Sequence, residues 1–188
     1  MNLFILDLDP VKAAQLQCNK HIPKMVVESA QMLSTAHRIL DGHSIKAASK
    51  SGKSQVKVWL HPDPYMNHIL YKAVHSAHPC TAWTMASAMN YGWHYAHFTA
   101  LCDEYTHRYG KVHLTDTLLR EKLSLMPKNI KYGPMTPFAL AMKSNPECMF
   151  KDDPVRSYRA FYQTKQERFK MVWTKREIPE WFKVKETA

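Results

Sequence analysis

Residues 22–40 read IPKMVVESAQMLSTAHRIL, and the architecture of the chain is built around them. Apolar side chains recur every three or four positions in this stretch, which predicts one long amphipathic helix; they are Ile22, Val26, Ala30, Leu33, Ala36 and Leu40. A second stripe with the same period is polar and consists of Lys24, Glu28, Gln31, Thr35 and Arg38. Such a stripe is ordinarily the solvated face of a helix. This stripe is unusual because it holds a single acid between two bases.

Capping signals on both sides of this helix predict further helices. Asp9-Pro10 and Asp153-Pro154 each place a capping acid before a proline at the first helical position. A His-Pro pair at 78–79 starts another helix, which Asn90-Tyr91-Gly92 is expected to end or kink, and Gly110 closes the helix after it. Besides the helix over 22–40 and the one that starts at 78–79, the sequence predicts helices over about 10–19, 65–76, 90–109, 115–126 and 153–174.

Strand and loop signals are few. The opening NLFILDL at 2–8 and VKVWL at 56–60 are rich in β-forming residues, and each predicts a short strand. Residues 41–55 are rich in Ser, Lys and Gly and predict a basic flexible loop, while 127–150 predict a long proline-containing loop. The tail at 179–188 is expected to dock Trp181 and Phe182 on the body. The predicted fold is mainly α, α+β at most: a single domain over 1–188 with about six helices, a short N-terminal strand and a minor β element.

Composition excludes several classes of protein. With 188 residues, 45% hydrophobic content and 5 Gly against 11 Pro, the chain can bury one core and is neither disordered nor collagen-like. The four cysteines lie far apart, and the first eight residues lack the basic region of a secretory leader. No stretch approaches the ~18 apolar residues of a membrane span. These features predict a cytoplasmic protein with reduced thiols and no membrane partner.

The net charge of +10 predicts an anionic partner, either nucleic acid (DNA foremost) or a nucleotide. The excess is concentrated in residues 41–60, 107–132 and 151–188, with net charges of +3, +4 and +4. In the last segment, bases alternate with aromatic side chains, and any exposed aromatic ring is able to stack on a nucleobase. The helical spacing of Tyr158, Tyr162 and Phe169 favours the alternative that the aromatic residues form the buried face of the helix over 153–174, which leaves the bases free to bind phosphate. The predicted nucleic-acid-binding residues are Arg38, Lys46, Lys50, Lys53, His97, Arg108, Lys111, Arg156 and Arg159.

Histidine pairs raise a metal hypothesis that the spacing does not favour. His75 and His78 form a His-x-x-His next to Cys80, and His94 and His97 form another. Neither pair belongs to an HExxH motif, and chance pairs are expected among 11 histidines, so no metal site is predicted. The few glycines form no phosphate-binding loop or dinucleotide fingerprint, and no cofactor is expected.

The predicted helix over 90–109 carries a second stripe of residues that could take part in catalysis. Trp93, His97, Glu104 and Arg108 fall on one face of it. Glu104 and Arg108 are spaced as an i, i+4 ion pair, which explains them without any function. Alternatively, this stripe faces the Lys24–Glu28–Arg38 stripe, and the two line a cleft in which a carboxylate acts as general acid or base.

Most of the chain resembles a family of small proteins that are frequent in tailed phages. The resemblance rests on MNLFILDLDPVKAAQ, CNKHIPKMVVESAQMLSTAHR, HPCTAW, NYGWHY, EYTHRYGKVH, TPFALAM, DDPVRSYRAFY and WTKREIPEWF. It implies a phage protein located in the host cytoplasm, and it implies no particular activity.

A looser similarity of layout links the chain to the pyrimidine-dimer DNA glycosylases of the endonuclease V type. These are small, basic, helical enzymes that attack the sugar C1′ with an N-terminal amine while a helix-borne Glu assists. Glu28 takes the place of that acid, and the catalytic candidates are Glu28, His21, Lys24 and Glu104. The nucleophile departs from the pattern, because Asn2 is too large to favour removal of Met1. The amine of Met1, Lys20 or Lys24 would have to serve, or no lyase step occurs.

Three functions follow as hypotheses. The first is a DNA glycosylase that cleaves the N-glycosidic bond of a damaged or modified base. The second is a non-catalytic protein that binds nucleic acid or a host factor through its basic surface. The third is an enzyme that acts on free nucleotides or nucleosides, for which binding would depend much less on salt.

Overall fold

The computed structural model describes residues 1–49 and 51–185, and its central element is the helix predicted over 22–40. In these residues the fold is mainly α with a minor β element, as predicted. The seven α-helices, α1 to α7 in chain order, are Pro10–Gln15, Ile22–Leu40, Pro64–Ile69, Pro79–Ala86, Ala88–Tyr109, Leu114–Leu123 and Pro154–Gln163. The strands β1 and β2 are His43–Ala48 and Gln55–Leu60, and 3-10 turns cover Pro146–Cys148 and Thr164–Glu167.

Helices α2 and α5 form the centre of one hydrophobic core, with α1 packed on α5 and α4 packed on both. The apolar stripe of α2 faces this core, since Val26, Ala30 and Leu33 are fully buried. The polar stripe is not simply a solvated face. It runs from the exposed Lys24 to the buried Arg38, so its two ends have different roles.

The capping signals locate the helix starts correctly. Asp9 and Asp153 each accept a backbone N–H from the first turn of the helix that follows, with a proline at the first helical position, as predicted. Asp63 caps α3 in the same way before Pro64, a cap that the sequence predictions do not include. Gly110 closes α5 in the left-handed conformation, with φ of 68°. The expected break at residues 90–92 is wrong. The chain breaks at Ser87, whose hydroxyl caps α5.

Several helices end earlier than predicted. The helices expected over 10–19, 65–76 and 153–174 end at Gln15, Ile69 and Gln163. After α7 the chain forms a 3-10 turn and then leaves helical geometry. As a result, the ring of Phe169 contacts His21, and Trp173 donates a hydrogen bond to the carbonyl of Leu16. The local apolar spacing did not reveal this change, because both aromatic side chains are still buried or half-buried after the helix ends.

The predicted N-terminal strand is wrong. Residues 3–6 are buried one after another, and they form no strand in the part of the chain that the structure describes. The backbone turns at Phe4, which has a φ of 50°, and its N–H binds the side chain of Asn2. The carbonyl of Leu6 accepts a hydrogen bond from Arg159 Nε. Side chains thus satisfy backbone groups that a neighbouring strand would otherwise pair.

The prediction of a loop over 41–55 is also wrong. Residues 43–48 form β1, which pairs antiparallel with the correctly predicted β2, with His43 opposite Leu60 and Ala48 opposite Gln55. Nearly all side chains of β1 are exposed, so the strand lacks the alternating apolar pattern that would have predicted it. Lys50, which belongs to the same predicted loop, lies outside the described residues.

The segment 127–150 is a long loop, as predicted, with one 3-10 turn. The carboxylate of Asp41 holds its start by accepting the backbone N–H groups of Lys128 and Asn129. The tail docks as expected over its described part. Phe182 is buried with its ring 4.9 Å from that of Trp173, and residues 186–188 lie outside the described residues.

Candidate active site

A cavity of about 460 Å³ opens where the start of the chain crosses the first turns of α2. The third wall of the cavity comes from the end of α7 and the turn after it. Four of its side chains are cationic and three are phenylalanines. The lining residues are Met1, Asn2, Phe4, Lys20, His21, Lys24, Glu28, Ala141, Phe161, Lys165, Arg168 and Phe169.

Glu28 supplies the only carboxylate among these lining residues. Its side chain is 16% exposed, with Oε1 3.5 Å from Lys24 Nζ and Oε2 3.8 Å from the α-amino nitrogen of Met1. Two of the predicted catalytic residues, Glu28 and Lys24, are therefore brought together, and the amine of Met1 joins them. A carboxylate beside two amines at a cavity wall is a suitable arrangement for acid–base and nucleophilic chemistry.

The first residues of the chain are fixed rather than trailing. The side-chain amide of Asn2 accepts the N–H of Phe4 and approaches the carbonyl of Ala141. The ring of Phe4 stacks on His21 with centroids 4.9 Å apart and meets Tyr162 edge to face. These contacts hold the Met1 amine against Glu28.

His21, the third predicted catalytic residue, lies in the same wall. It is 5% exposed, and its Nδ1 is 2.6 Å from the hydroxyl of Tyr162. Burial, together with the charges of Lys24, Lys165 and Lys20, lowers the pKa of His21 to about 4. The imidazole is thus neutral at physiological pH and does not add to the positive charge of the cavity.

Two of the lining lysines are held against aromatic rings. Lys165 Nζ lies 3.4 Å from the centroid of Phe161, and Lys20 Nζ lies 4.6 Å from that of Phe169. Burial lowers the pKa of Lys165, and the neighbouring Arg168 acts in the same direction. Phe161, Lys165, Arg168 and Phe169 are absent from the predicted site residues, although the alternation of bases and aromatic residues in this segment is a signal that points to them.

Glu104, the fourth predicted catalytic residue, does not face Glu28. It is 2% exposed and binds two guanidinium groups, at 2.6 Å to Arg108 Nε and 2.9 Å to Arg176 Nη2. Burial alone would raise the pKa of Glu104, but hydrogen bonds from Arg176 and Arg108 outweigh it and hold the pKa below its usual value. The expectation that the two acid–base stripes share one cleft is wrong, and Glu104 fits the alternative of an ion pair.

Three predicted nucleic-acid-binding residues are buried and cannot reach a phosphate. Arg38 gives its guanidinium donors to the carbonyls of Trp59, Asn67, Leu70 and Tyr71 and to the Asn67 side chain. Arg108 is bound to Glu104, and His97 is fully buried with Nδ1 2.9 Å from the carbonyl of Pro10. Their roles are to hold segments of the fold together.

Among the described residues, the other predicted nucleic-acid-binding side chains lie outside the cavity lining, and all but the half-buried Arg159 are exposed. Lys46 and Lys53 are exposed on the β1–β2 hairpin, and Lys111 is exposed after α5. Arg156 stacks on Phe150, and Arg159 binds the carbonyl of Leu6. Lys50 belongs to the same prediction but lies outside the described residues.

Neither His-x-x-His pair gathers metal ligands. In the described part of the chain, the one group with metal-ligand spacing is His37, Asp41 and His61. Its hydrogen bonds disfavour a metal, because His61 Nδ1 accepts the N–H of Asp63 and its Nε2 therefore carries the proton that faces Asp41, 3.9 Å away. This cluster joins the end of α2 to the end of β2 and is best explained as structural.

Comparisons with known proteins add no family to this description. No protein-family model matches the chain, and no curated protein and no solved structure is significantly similar to it. Among the described helices, none combines the length and apolar character needed to cross a membrane.

Proposed function

We propose that this protein acts on DNA and cleaves the N-glycosidic bond between a damaged or modified base and its sugar. The observation that carries the proposal is the Glu28 carboxylate beside two amines in the wall of a 460 Å³ cavity. Pockets of roughly 300–1,000 Å³ are typical for small-molecule groups, and an extruded nucleoside falls in this class. An enzyme that works on a base in duplex DNA must extrude that base into such a pocket.

The amine and the carboxylate supply complementary parts of the reaction. The unprotonated Met1 amine attacks C1′ while the C1′–N bond breaks, and the base leaves with the bonding electrons and takes a proton from water. A proton of the bound amine then passes to the sugar ring oxygen as the ring opens, which leaves an iminium ion. The negative charge of Glu28 stabilises the positive charge at C1′ in both steps. Addition of water releases the sugar aldehyde and restores the amine.

Burial favours Met1 over Lys24 as the nucleophile. The Met1 side chain is 6% exposed and its backbone is anchored through Asn2 and Phe4, whereas the Lys24 side chain is 62% exposed on a flexible stem. An anchored amine needs less ordering to reach C1′. Lys24 is then a counterion of Glu28 and a contact for a flanking phosphate.

The rest of the cavity suits a nucleotide. Lys20, Lys165 and Arg168 provide positive charge in its lining for backbone phosphates, and the half-buried Phe169 provides aromatic surface for a base. These groups do not select a base by themselves. They support a nucleic acid or nucleotide as the occupant in preference to an apolar ligand.

Reductive trapping tests the proposal directly. The protein is incubated with duplex DNA that is either ultraviolet-irradiated or carries hypermodified bases, with sodium borohydride present. We expect a covalent protein–DNA adduct on one of these substrates and, after digestion, a mass increment on the peptide that contains Met1. An increment on Lys24 would keep the reaction but reassign the nucleophile. Abasic product without any adduct would indicate direct hydrolysis, and absence of both would overturn the proposal.

Salt dependence separates DNA from a free nucleotide as the ligand. We expect the logarithm of the binding constant for duplex DNA to fall linearly with the logarithm of salt concentration, with a slope of about −0.9 per phosphate contact. The double variant Lys165→Ala, Arg168→Ala should make that slope less steep by up to about 1.8, the contribution of two phosphate contacts. Fluorescence anisotropy at several salt concentrations measures the slope. Removing two cationic contacts next to the cavity is the physical reason.

The matched control is the double variant Lys46→Ala, Lys53→Ala on the β1–β2 hairpin, which removes the same charge away from the cavity lining. A smaller change in slope for the hairpin variant than for the cavity variant would agree with the proposal. The reverse order would place the DNA on the hairpin and support the alternative of a surface-binding protein without catalysis.

A further inference from the structure

We propose that His21 is a fixed, neutral N–H donor that binds a carbonyl oxygen or a ring nitrogen of the base held in the cavity. This inference rests on the proposed function, because it assigns the place of the base within the same cavity. It adds a chemical preference: the base must present a hydrogen-bond acceptor to the wall formed by the start of α2.

The tautomer of His21 follows from its partner. The hydroxyl of Tyr162 accepts the backbone N–H of Cys18 at 2.9 Å, and it lies 2.6 Å from His21 Nδ1. If Nδ1 carried a proton, the single hydroxyl proton of this fully buried tyrosine would have no acceptor in its contacts, which is costly. Tyr162 therefore donates to Nδ1, and the proton of the neutral imidazole is on Nε2.

The Nε2–H group is the part of the ring left for a ligand. Within the described residues, His21 Nε2 has no hydrogen-bond partner, yet it is not among the polar atoms sealed away from solvent, and the ring lines the cavity. The side chain is otherwise buried, with Phe4 stacked on one face and Phe169 against its edge. His21 is only 5% exposed, so its ring is held in one orientation. The Nε2–H group is therefore a fixed donor that can bind an acceptor in the cavity.

The charges around the cavity determine which kind of acceptor His21 Nε2–H binds. The nearby Lys20, Lys24 and Lys165 are better partners for phosphate oxygens than a neutral imidazole is, and their charges keep the ring neutral. An uncharged acceptor is left for Nε2–H. Carbonyl oxygens and ring nitrogens of a nucleobase are acceptors of that type.

The spacing of His21 and Glu28 fits a nucleoside laid along α2. The two residues are seven positions apart, which corresponds to about 10 Å of helix rise and returns the side chains to the same face. A sugar whose C1′ lies at Glu28 and the Met1 amine would place its base toward His21. The donor thus reads the base, while the carboxylate and the amine act on the sugar.

The tautomer can be measured without any catalysis. Nitrogen-15 correlation spectra of histidine-labelled protein at pH 6.5 should show His21 as the neutral Nε2–H form. Protonation of both nitrogens, or a proton on Nδ1, would overturn the inference even if the glycosylase reaction is found. The Tyr162→Phe variant should lose the fixed tautomer, and the wild-type spectrum alone decides the question if that variant does not fold.

Titration with small probes tests the binding role. Uridine, which presents two carbonyl oxygens, should shift the His21 Nε2–H resonance at millimolar concentration. The same sugar carrying a phenyl group, which has no acceptor, should bind at least about fivefold more weakly and leave that resonance in place, as expected for the loss of one neutral hydrogen bond. Equal shifts from both probes, or no shift from either, would contradict the inference. Because neither probe is cleaved in this measurement, a failure here is distinct from a failure of the trapping experiment.

Discussion

Replacement of Glu28 by glutamine is expected to lower the rate of base release by about 10³-fold, which corresponds to ~4 kcal/mol of transition-state stabilisation. Glutamine keeps the size and the hydrogen-bonding capacity of the side chain but removes the negative charge that faces the Met1 amine at 3.8 Å. The developing positive charge at C1′ then has no counterion among the described lining residues. Single-turnover measurement of abasic-site formation reports the rate directly.

DNA binding should persist in the Glu28→Gln variant and even tighten slightly, because the change removes a negative charge from a basic cavity. The matched control is Glu121→Gln, which also neutralises one glutamate, but one whose side chain is 87% exposed on α6. We expect wild-type rates from this control. Unchanged base release in Glu28→Gln would exclude Glu28 from the reaction. DNA binding without base release in both the wild type and the Glu28→Gln variant would favour a non-catalytic binding function.

The parts of the structure that the sequence predicts well are those fixed by local interactions. The 3.6-residue period of Ile22, Val26 and Ala30 defines α2, and each capping acid followed by proline marks a helix start. These signals act within one or two turns of chain, so no knowledge of the rest of the fold is needed to interpret them. The position of Glu28 on a polar stripe of α2 belongs to the same local information.

The parts that it predicts poorly depend on distant partners. Nothing near Arg38 in the sequence shows that carbonyl groups of other segments enclose its guanidinium, and nothing near Arg108 shows that it also binds Gln15 and Asn19. The wall formed by Lys165 and Phe169 is likewise invisible locally, because it arises where α7 ends earlier than its apolar spacing suggests. A charged residue on a predicted helix face is thus a candidate for binding only until its tertiary partners are known.

Glu104→Gln is expected to destabilise the fold rather than to abolish the chemistry. The carboxylate of Glu104 pairs with Arg108, whose side chain is fully buried, and with Arg176, which is 34% exposed. Removal of one partner from a buried ion pair leaves an uncompensated charge and typically costs about 3–5 kcal/mol. The exposed Arg176 can turn to solvent, so we expect the lower end, about 3 kcal/mol. For a chain of this size, that loss lowers Tm by roughly 6–12 °C.

Thermal and urea unfolding of the Glu104→Gln variant measure this loss, and Glu167→Gln is its matched control. Glu167 also pairs with a base, but both partners are largely exposed, so the control should lie within about 0.5 kcal/mol of the wild type. Below its own Tm, the folded Glu104→Gln protein should cleave at a rate close to that of the wild type, because its side chain does not line the Glu28 cavity. A stable Glu104→Gln protein that has lost base release would return Glu104 to the catalytic site, and it would mean that α5 contributes to the chemistry as well as to the core.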